Sequence, residues 1–256
     1  MATYLLKKSY RRIDLKEVRF KDLWDSHGVF TTMWVFGNPF KILFFKTHIK
    51  NLIQSLKVYN LKKKDIKKNI FKLIKINLDK NKHYNHLLRV AIDSKLISIS
   101  LRKKIKTKSK FSLRLINHKR IKPEFKNLKY KKILKYLSTI NTSKIDVGLV
   151  VNKKILESAT SNILFVSNNK IYSPINKFYK GTTLKFFEKK IEIIKKNIYV
   201  NNLSTYDEII LVGSGKGVIS ISCIEKHYWI RKNLKIYRHL YKIYSEAVTN
   251  CPLYNG

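Results

Sequence analysis

Glu157-Ser158-Ala159-Thr160-Ser161-Asn162-Ile163-Leu164-Phe165-Val166-Ser167-Asn168-Asn169-Lys170-Ile171-Tyr172-Ser173-Pro174 is followed, after four residues, by Tyr179-Lys180-Gly181-Thr182-Thr183-Leu184-Lys185-Phe186-Phe187. One acid, Glu157, heads a turn of small polar residues. The apolar run Ile163 to Val166 predicts a strand, Asn168-Asn169 a turn, and Ile171-Tyr172 a second strand closed by Pro174. Gly181-Thr182-Thr183 then opens a predicted helix with Leu184, Phe187, Ile191 and Ile194 along one face. Small residues at such a start leave backbone N–H groups free for a phosphate.

Taken together, Glu157, Ser161-Asn162, Phe165, Pro174 and Gly181 resemble, in order and spacing, the motif of the fold type IV pyridoxal-phosphate enzymes, the aminotransferase class IV family. The resemblance implies an α/β (α+β) fold of two lobes. A small N-terminal α/β lobe precedes a C-terminal α/β barrel-like lobe, and pyridoxal 5′-phosphate is held between them. It also implies a homodimer. Glu157 would face the pyridine nitrogen. Ser161, Asn162, Gly181, Thr182 and Thr183 would line the cofactor site.

Upstream, Phe125-Lys126-Asn127-Leu128-Lys129-Tyr130 is similar to the family segment that carries the cofactor-linking lysine. Lys126, Leu128 and Tyr130 match, whereas Lys129 stands where the family has Asn. Glu157 follows Lys126 by 157 − 126 = 31 positions, close to the family interval; choosing Lys129 would shorten it and lose the Leu and Tyr matches. Lys126 is therefore the expected attachment point, with Tyr130 beside the cofactor. Asn117 to Glu124 is polar and basic and contains Pro123, so it reads as a linker. The expected organisation is an N-terminal lobe at 1–116, a linker at 117–124 and a cofactor-binding lobe at 125–256.

Downstream, Glu208 to Val212 predicts a strand that runs into Gly213-Ser214-Gly215-Lys216-Gly217. A glycine-rich turn can present N–H groups to a phosphate. Its spacing fits neither a Walker loop nor a dinucleotide fingerprint. It resembles the family's second phosphate loop, with Ser214 at the hydroxyl position. Leu234 to Val248 predicts a closing helix with Tyr237, Leu240, Tyr241 and Tyr244 inward.

Near the start, Val29 to Phe36 and Phe40 to Phe45 predict strands joined by Gly37-Asn38-Pro39. Phe30-Thr31-Thr32 resembles the aminodeoxychorismate lyase branch, where transaminases commonly place an acid; Thr32 would then serve catalysis. Thr47 to Asn60 predicts a helix with Ile49, Leu52, Ile53 and Leu56 inward. The family pattern His, two residues, Arg, Leu is here His48-Ile49-Lys50-Asn51-Leu52. Asn51 thus replaces the phosphate-binding arginine, and it can donate a hydrogen bond but brings no charge. Asp65 to Leu78 predicts a second helix. Leu87 to Ile92, Leu96 to Leu101, Phe111 to Ile116 and Ile145 to Val151 predict strands. Asp93-Ser94 stands where the family often has Arg-Gly; Arg102 could reach a substrate carboxylate, but in its basic run it reads rather as a solvated charge.

The 256 residues carry a formal charge of +39, with 44% apolar and 12% aromatic residues. That balance fits a globular chain able to bury a core. The lysines are scattered along the whole chain, so the charge reads as solvated faces that favour anionic substrates, not as a specific nucleic-acid footprint. No run of about 18 apolar residues predicts a membrane span. Tyr4-Leu5-Leu6 is too short for a signal-peptide core, though Arg11 and Arg12 leave a transit segment open. Two cysteines fit a reducing, cytoplasmic setting. His83, His86 and His118 lack metal-ligand spacing, so no metal is expected.

The resemblance favours a pyridoxal-phosphate-dependent lyase converting 4-amino-4-deoxychorismate to 4-aminobenzoate and pyruvate, a step of folate biosynthesis. Its rival is a branched-chain or D-amino-acid aminotransferase. A non-enzymatic basic binding protein on the same fold is the third possibility.

Overall fold

The structure, a computed structural model, describes residues 3–255, and its chain divides into two units. The first takes in Met1–Lys104, Phe125–Lys131 and Asn250–Gly256. Its strands are β1 (Tyr4–Arg11), β2 (Glu17–Val18), β3 (Val29–Gly37), β4 (Lys41–Ile42), β5 (Tyr84–Ile92) and β6 (Leu96–Lys103), and its helices are α1 (Phe45–Val58) and α2 (Ile66–Asn77). The strands form one antiparallel sheet in the order β2-β1-β6-β5-β3-β4. Strand alternation sends Val29, Met33 and Val35 of β3 to one face, all of them fully buried. They pack with Ile49, Leu52 and Leu56 of α1 and with Ile70, Leu73 and Ile74 of α2 in one apolar cluster. The opposite face of β3 carries Phe30 and Thr32.

The second unit takes in Ile105–Glu124 and Lys132–Thr249. It contains β7 (Ser112–Asn117), α3 (Lys131–Ser138), β8 (Ile145–Val151), β9 (Lys154–Ser158), β10 (Asn162–Ser167), β11 (Lys170–Ser173), α4 (Thr182–Phe187), β12 (Ile194–Lys195), β13 (Ile198–Tyr199), a 3-10 turn (Val200–Thr205), β14 (Glu208–Gly213), β15 (Gly217–Ser220), β16 (Cys223–Ile224) and α5 (Lys235–Thr249). Two five-stranded sheets run β12-β11-β10-β14-β15 and β13-β9-β8-β7-β16. Phe111, Leu113, Ile155, Phe165, Ile209, Leu211 and Ile221 share one buried cluster. Helices and mixed sheets give the α/β (α+β) class expected from the sequence.

Phe125–Lys131 groups with the first unit, although the sequence places it at the head of the second. The reason is backbone pairing. Phe30 N–H donates to Lys126 O at 2.9 Å, Leu128 N–H to Gly28 O at 2.9 Å, and Asp25 N–H to Leu128 O at 2.9 Å. Gly28 permits this approach, because a Cβ there would lie 2.6 Å from Leu128 Cδ1 and 2.3 Å from Ile92 O.

Several predicted elements are corrected. The helix at Thr182 spans only Thr182–Phe187, so Ile191 lies beyond it and Ile194 belongs to β12. The strand expected over Phe40 to Phe45 shrinks to Lys41–Ile42. Phe44 adopts φ 54° and α1 begins at Phe45, which leaves Thr47 inside the helix and not at its cap. On α5, Leu240 and Tyr244 are buried but Tyr241 is 51% exposed, so the inward aromatic stripe is narrower than expected. Met1 and Ala2, part of the segment weighed as a leader, lie outside the described residues. No helix among the described residues is long and apolar enough to cross a membrane.

Candidate active site

In the first unit, β3 sets the frame. Thr31 and Thr32 are neighbours, so they point to opposite faces of the sheet. Thr31 faces the core, with its Oγ1 2.9 Å from Nδ1 of buried His48. Burial, reinforced by the positive charge of Lys126, pushes the His48 pKa down to about 3, so this imidazole is neutral at physiological pH. Thr32 shares its face with Phe30 and sits directly opposite Arg89 on β5.

That face is built from aromatic rings and cations. Phe30, Trp24 and Tyr130 form a trio, with centroids 5.0 Å apart for Trp24–Phe30, 5.6 Å for Phe30–Tyr130 and 5.8 Å for Trp24–Tyr130. Lys126 Nζ lies 5.2 Å from the Phe30 centroid. Arg89 stacks over Trp24 at 4.3 Å and pairs with the carboxylate of Asp22. Burial lowers the Arg89 pKa, with Asp22 opposing. Arg102 stands on β6, half-buried on the same face, which corrects its reading as a freely solvated charge. Lys129, the competing lysine, is exposed, and its Nζ donates to Asp25 O. Asn51 is buried on α1, where Ser55 Oγ donates to its carbonyl.

In the second unit, Glu157 is the next-to-last residue of β9 and is buried. Arg120 Nε donates to Glu157 Oε1 at 2.7 Å and Arg120 Nη2 to Oε2 at 3.2 Å, a two-pronged charged pair. Arg120 Nη2 also donates to Pro123 O at 2.7 Å, and Tyr179 N–H to Glu157 Oε2 at 3.3 Å. The segment read as a linker therefore supplies the partner of the predicted pyridine-facing acid.

Asn162 works on backbone. Its Nδ2 donates to Tyr179 O at 2.6 Å, and its Oδ1 accepts from Gly181 N–H at 3.0 Å. That bridge fixes the loop leading into α4 at Thr182. Ser161 Oγ and Thr183 Oγ1 are buried and lack hydrogen-bond partners in the protein. Such orphaned hydroxyls are costly unless a ligand satisfies them. A Cβ at Gly213 would lie 2.7 Å from Ser161 Oγ, so the turn carrying Ser214 packs against the turn carrying Ser161. Two unsatisfied hydroxyls beside glycine-lined backbone fit a phosphate-bearing cofactor. Among the described residues no group of three or more His, Cys, Asp or Glu could hold a metal ion.

Arg120 and Arg89 escaped the sequence reading. Arg89 had a signal: it is a lone charge inside the apolar run Leu87 to Ile92. Arg120 had almost none, being one cation in a basic segment.

A family model, amino-transferase class IV, matches residues 28–224. No curated protein matches the chain in sequence. In fold, the chain is similar to a branched-chain aminotransferase of Thermoproteus uzoniensis solved with norvaline, at 15% identity and TM-score 0.75, covering 93% of each chain. It is also similar to a branched-chain amino acid aminotransferase of Thermobaculum terrenum in its PLP form, at 17% identity and TM-score 0.72, covering 94% of this chain and 93% of that one. A Legionella pneumophila protein provisionally named a 4-amino-4-deoxychorismate lyase aligns at 17% identity and TM-score 0.70, covering 87% of this chain and 91% of that one.

Proposed function

The chain belongs to the amino-transferase class IV family, and from that premise we propose that it is a pyridoxal 5′-phosphate-dependent lyase converting 4-amino-4-deoxychorismate to 4-aminobenzoate and pyruvate. The observation that carries the reading is the face of β3, where Thr32 joins Phe30, the ring beneath the Lys126 amine. A hydroxyl stands there, not a carboxylate.

When bound, the cofactor supplies an electron sink for the carbon bearing the substrate amine. Lys126 would hold the cofactor until the substrate amine takes its place, and its freed amine would then take the ring proton from the carbon that bears the substrate nitrogen. Thr32 delivers a proton to the departing pyruvate or positions a water to do so. Glu157, braced by Arg120, would hold the pyridine end of the cofactor. Ser161, Thr182, Thr183 and Ser214 hold the phosphate by hydroxyl and N–H groups, with Asn51 adding an uncharged contact. Asn162 holds Gly181 and its loop in place. Tyr130 packs the aromatic trio. Arg89 receives a substrate carboxylate.

A second reading, a branched-chain or D-amino-acid aminotransferase, also has use for Arg89, since its substrates and 2-oxoglutarate are carboxylates. The deciding experiment supplies 4-amino-4-deoxychorismate and follows 4-aminobenzoate and pyruvate. A panel of L- and D-amino acids with 2-oxoglutarate runs alongside. Keto acids without 4-aminobenzoate overturn the lyase reading; no turnover of any substrate favours a binding protein. The reading extends to a cytoplasmic homodimer, checked for assembly by light scattering.

A further inference from the structure

Asp146 is the one acid in the apolar run of β8, and it is fully buried. Its Oδ2 accepts from Thr160 Oγ1 at 2.7 Å and from Ser158 Oγ at 3.0 Å, while its Oδ1 accepts from Val147 N–H at 2.8 Å. Lys216 Nζ lies 2.8 Å from the same Oδ2, with side-chain exposures of 11% for Lys216 and 0% for Asp146. That ammonium also sits 4.9 Å from the Phe111 ring centroid. The contact is an ion pair and not an aimed hydrogen bond, because Nζ is buried without a directional partner.

A lysine in a glycine-rich turn can serve a phosphate as a cation, although the spacing here is not that of a Walker loop. Here its side chain is turned into the unit and bound to Asp146. We propose that the Asp146–Lys216 pair is a positioning clamp that locks the β14–β15 turn to the β9–β10 turn, and so sets Ser214 against Ser161. This rests on the reading that those two turns hold the cofactor phosphate. The geometry is economical. Gly213 pairs with Gly217 across the hairpin, so only Ser214, Gly215 and Lys216 form the loop. Fixing Lys216 leaves Ser214, two residues away, little freedom. On the other side, Asp146 holds Ser158 and Thr160, and Ser161 N–H donates to Ser158 Oγ at 2.9 Å. One carboxylate thus holds both ends.

The energetics favour this role over general stabilisation. Replacing a buried ion pair by apolar groups of similar volume is often neutral or stabilising. What such a pair contributes is a preference for one arrangement of the two turns it joins over its neighbours.

The test uses Lys216→Met, Asp146→Asn, the double variant and the conservative Lys216→Arg. The double variant removes both charges at similar volume, which guards against misfolding of either single change. In cofactor-free protein, hydrogen exchange at 158–161 and 214–217 should rise on the order of tenfold in the double variant while the β10–β14 ladder stays protected. Unchanged exchange in both turns, or a uniform rise across the unit, overturns the clamp. In the second arm, the dissociation constant for pyridoxal 5′-phosphate should rise about tenfold in Lys216→Met, equally in Asp146→Asn, and no further in the double variant. Lys216→Arg should recover most of the affinity. Were Lys216 itself a phosphate ligand, Asp146→Asn would bind as tightly as wild type or tighter, and the proposal would fall. Wild-type protein that binds no cofactor defeats the functional reading alone, because the exchange arm still decides the clamp.

Discussion

Arg120 Nε lies 2.7 Å from Glu157 Oε1, and the two side chains are only 5% and 7% exposed. A buried carboxylate requires such a partner, since leaving it alone costs far more than pairing it gains. Arg120→Met should therefore destabilise the protein by about 3–5 kcal/mol, the usual penalty for stripping one member from a buried pair. Lys should rescue only part, because an ammonium cannot form the two-pronged contact. Urea unfolding followed by circular dichroism measures both. A loss for Arg120→Met within about 1 kcal/mol, the worth of an exposed pair, would mean that Glu157 is not held by this contact.

Lys126 and Lys129 are three residues apart but differ in surroundings. Lys126 is half-buried over Phe30, whereas Lys129 is exposed and hydrogen-bonded to Asp25 O. Borohydride treatment of cofactor-loaded protein should fix the cofactor on Lys126 alone. Peptide mapping that finds the adduct on Lys129 would reject the assignment.

The sequence disclosed most of this arrangement where periodicity was strong. Ile145 to Val151 reads as a strand and is β8 to the residue, and the hairpin at Ile163 to Tyr172 appears as β10 and β11. It failed where tertiary contacts overrule local pattern. Ile191 and Ile194 continue the helical spacing of Leu184 and Phe187, yet the chain leaves the helix after Phe187, and Ile194 joins a sheet edge. The residues flanking the predicted site were harder still. The sequence marks Asn162 as a candidate site residue, but its bridging of Tyr179 and Gly181 is not legible there, because a side chain's partner seventeen residues away leaves no trace in spacing. Lys216 is instructive in the opposite sense. The glycine-rich turn around it was read correctly as a turn, while the direction of its side chain is set by Asp146, seventy positions earlier.

The resemblance places Asn51 where the family carries a cation for the phosphate. It is buried on α1, and a neutral hydrogen bond contributes about 1 kcal/mol against about 1.5–3 for a charged one. Asn51→Arg should slow cofactor loss on dialysis by roughly fivefold, equivalent to about 1 kcal/mol. Equal or faster loss would show that another cation already serves the phosphate.

His48 is neutral in the fold because burial lowers its pKa from 6.5 to about 3. Between those values the unfolded chain binds the proton and the folded chain does not. Stability from this group is therefore full above pH 6.5 and falls as pH drops towards 3. At pH 5 the loss is about 1.5 units × 1.36 kcal/mol, or about 2 kcal/mol. His48→Asn removes the titration while keeping a polar group near Thr31. Its stability should change less between pH 7.5 and pH 5 than the wild type's, by about that amount. Parallel pH profiles for the two proteins would show that His48 takes up no proton linked to unfolding.

The proposed lyase reaction rests on Thr32. It lies on the Phe30 face of β3, opposite Arg89, while Thr31 turns to the core and His48. A lyase must protonate a departing three-carbon fragment, and a hydroxyl there can give that proton or hold the water that does. A transaminase must hold an amino acid, release a keto acid and accept a second substrate, steps that do not call on this hydroxyl. Thr32→Val keeps the branched shape and the strand preference, so the fold should survive. We expect it to lower 4-aminobenzoate formation by about 10²-fold, the lower range for loss of a general acid. The absorbance of the bound cofactor and its dissociation constant should stay as in wild type, since Thr32 is assigned no part in holding it. Arg89→Met, by contrast, should raise KM more than it lowers kcat, because a carboxylate contact is made equally in ground and transition states. A Thr32→Val protein with wild-type lyase rate would remove the hydroxyl from the mechanism. A variant that lost its cofactor would place Thr32 in binding instead.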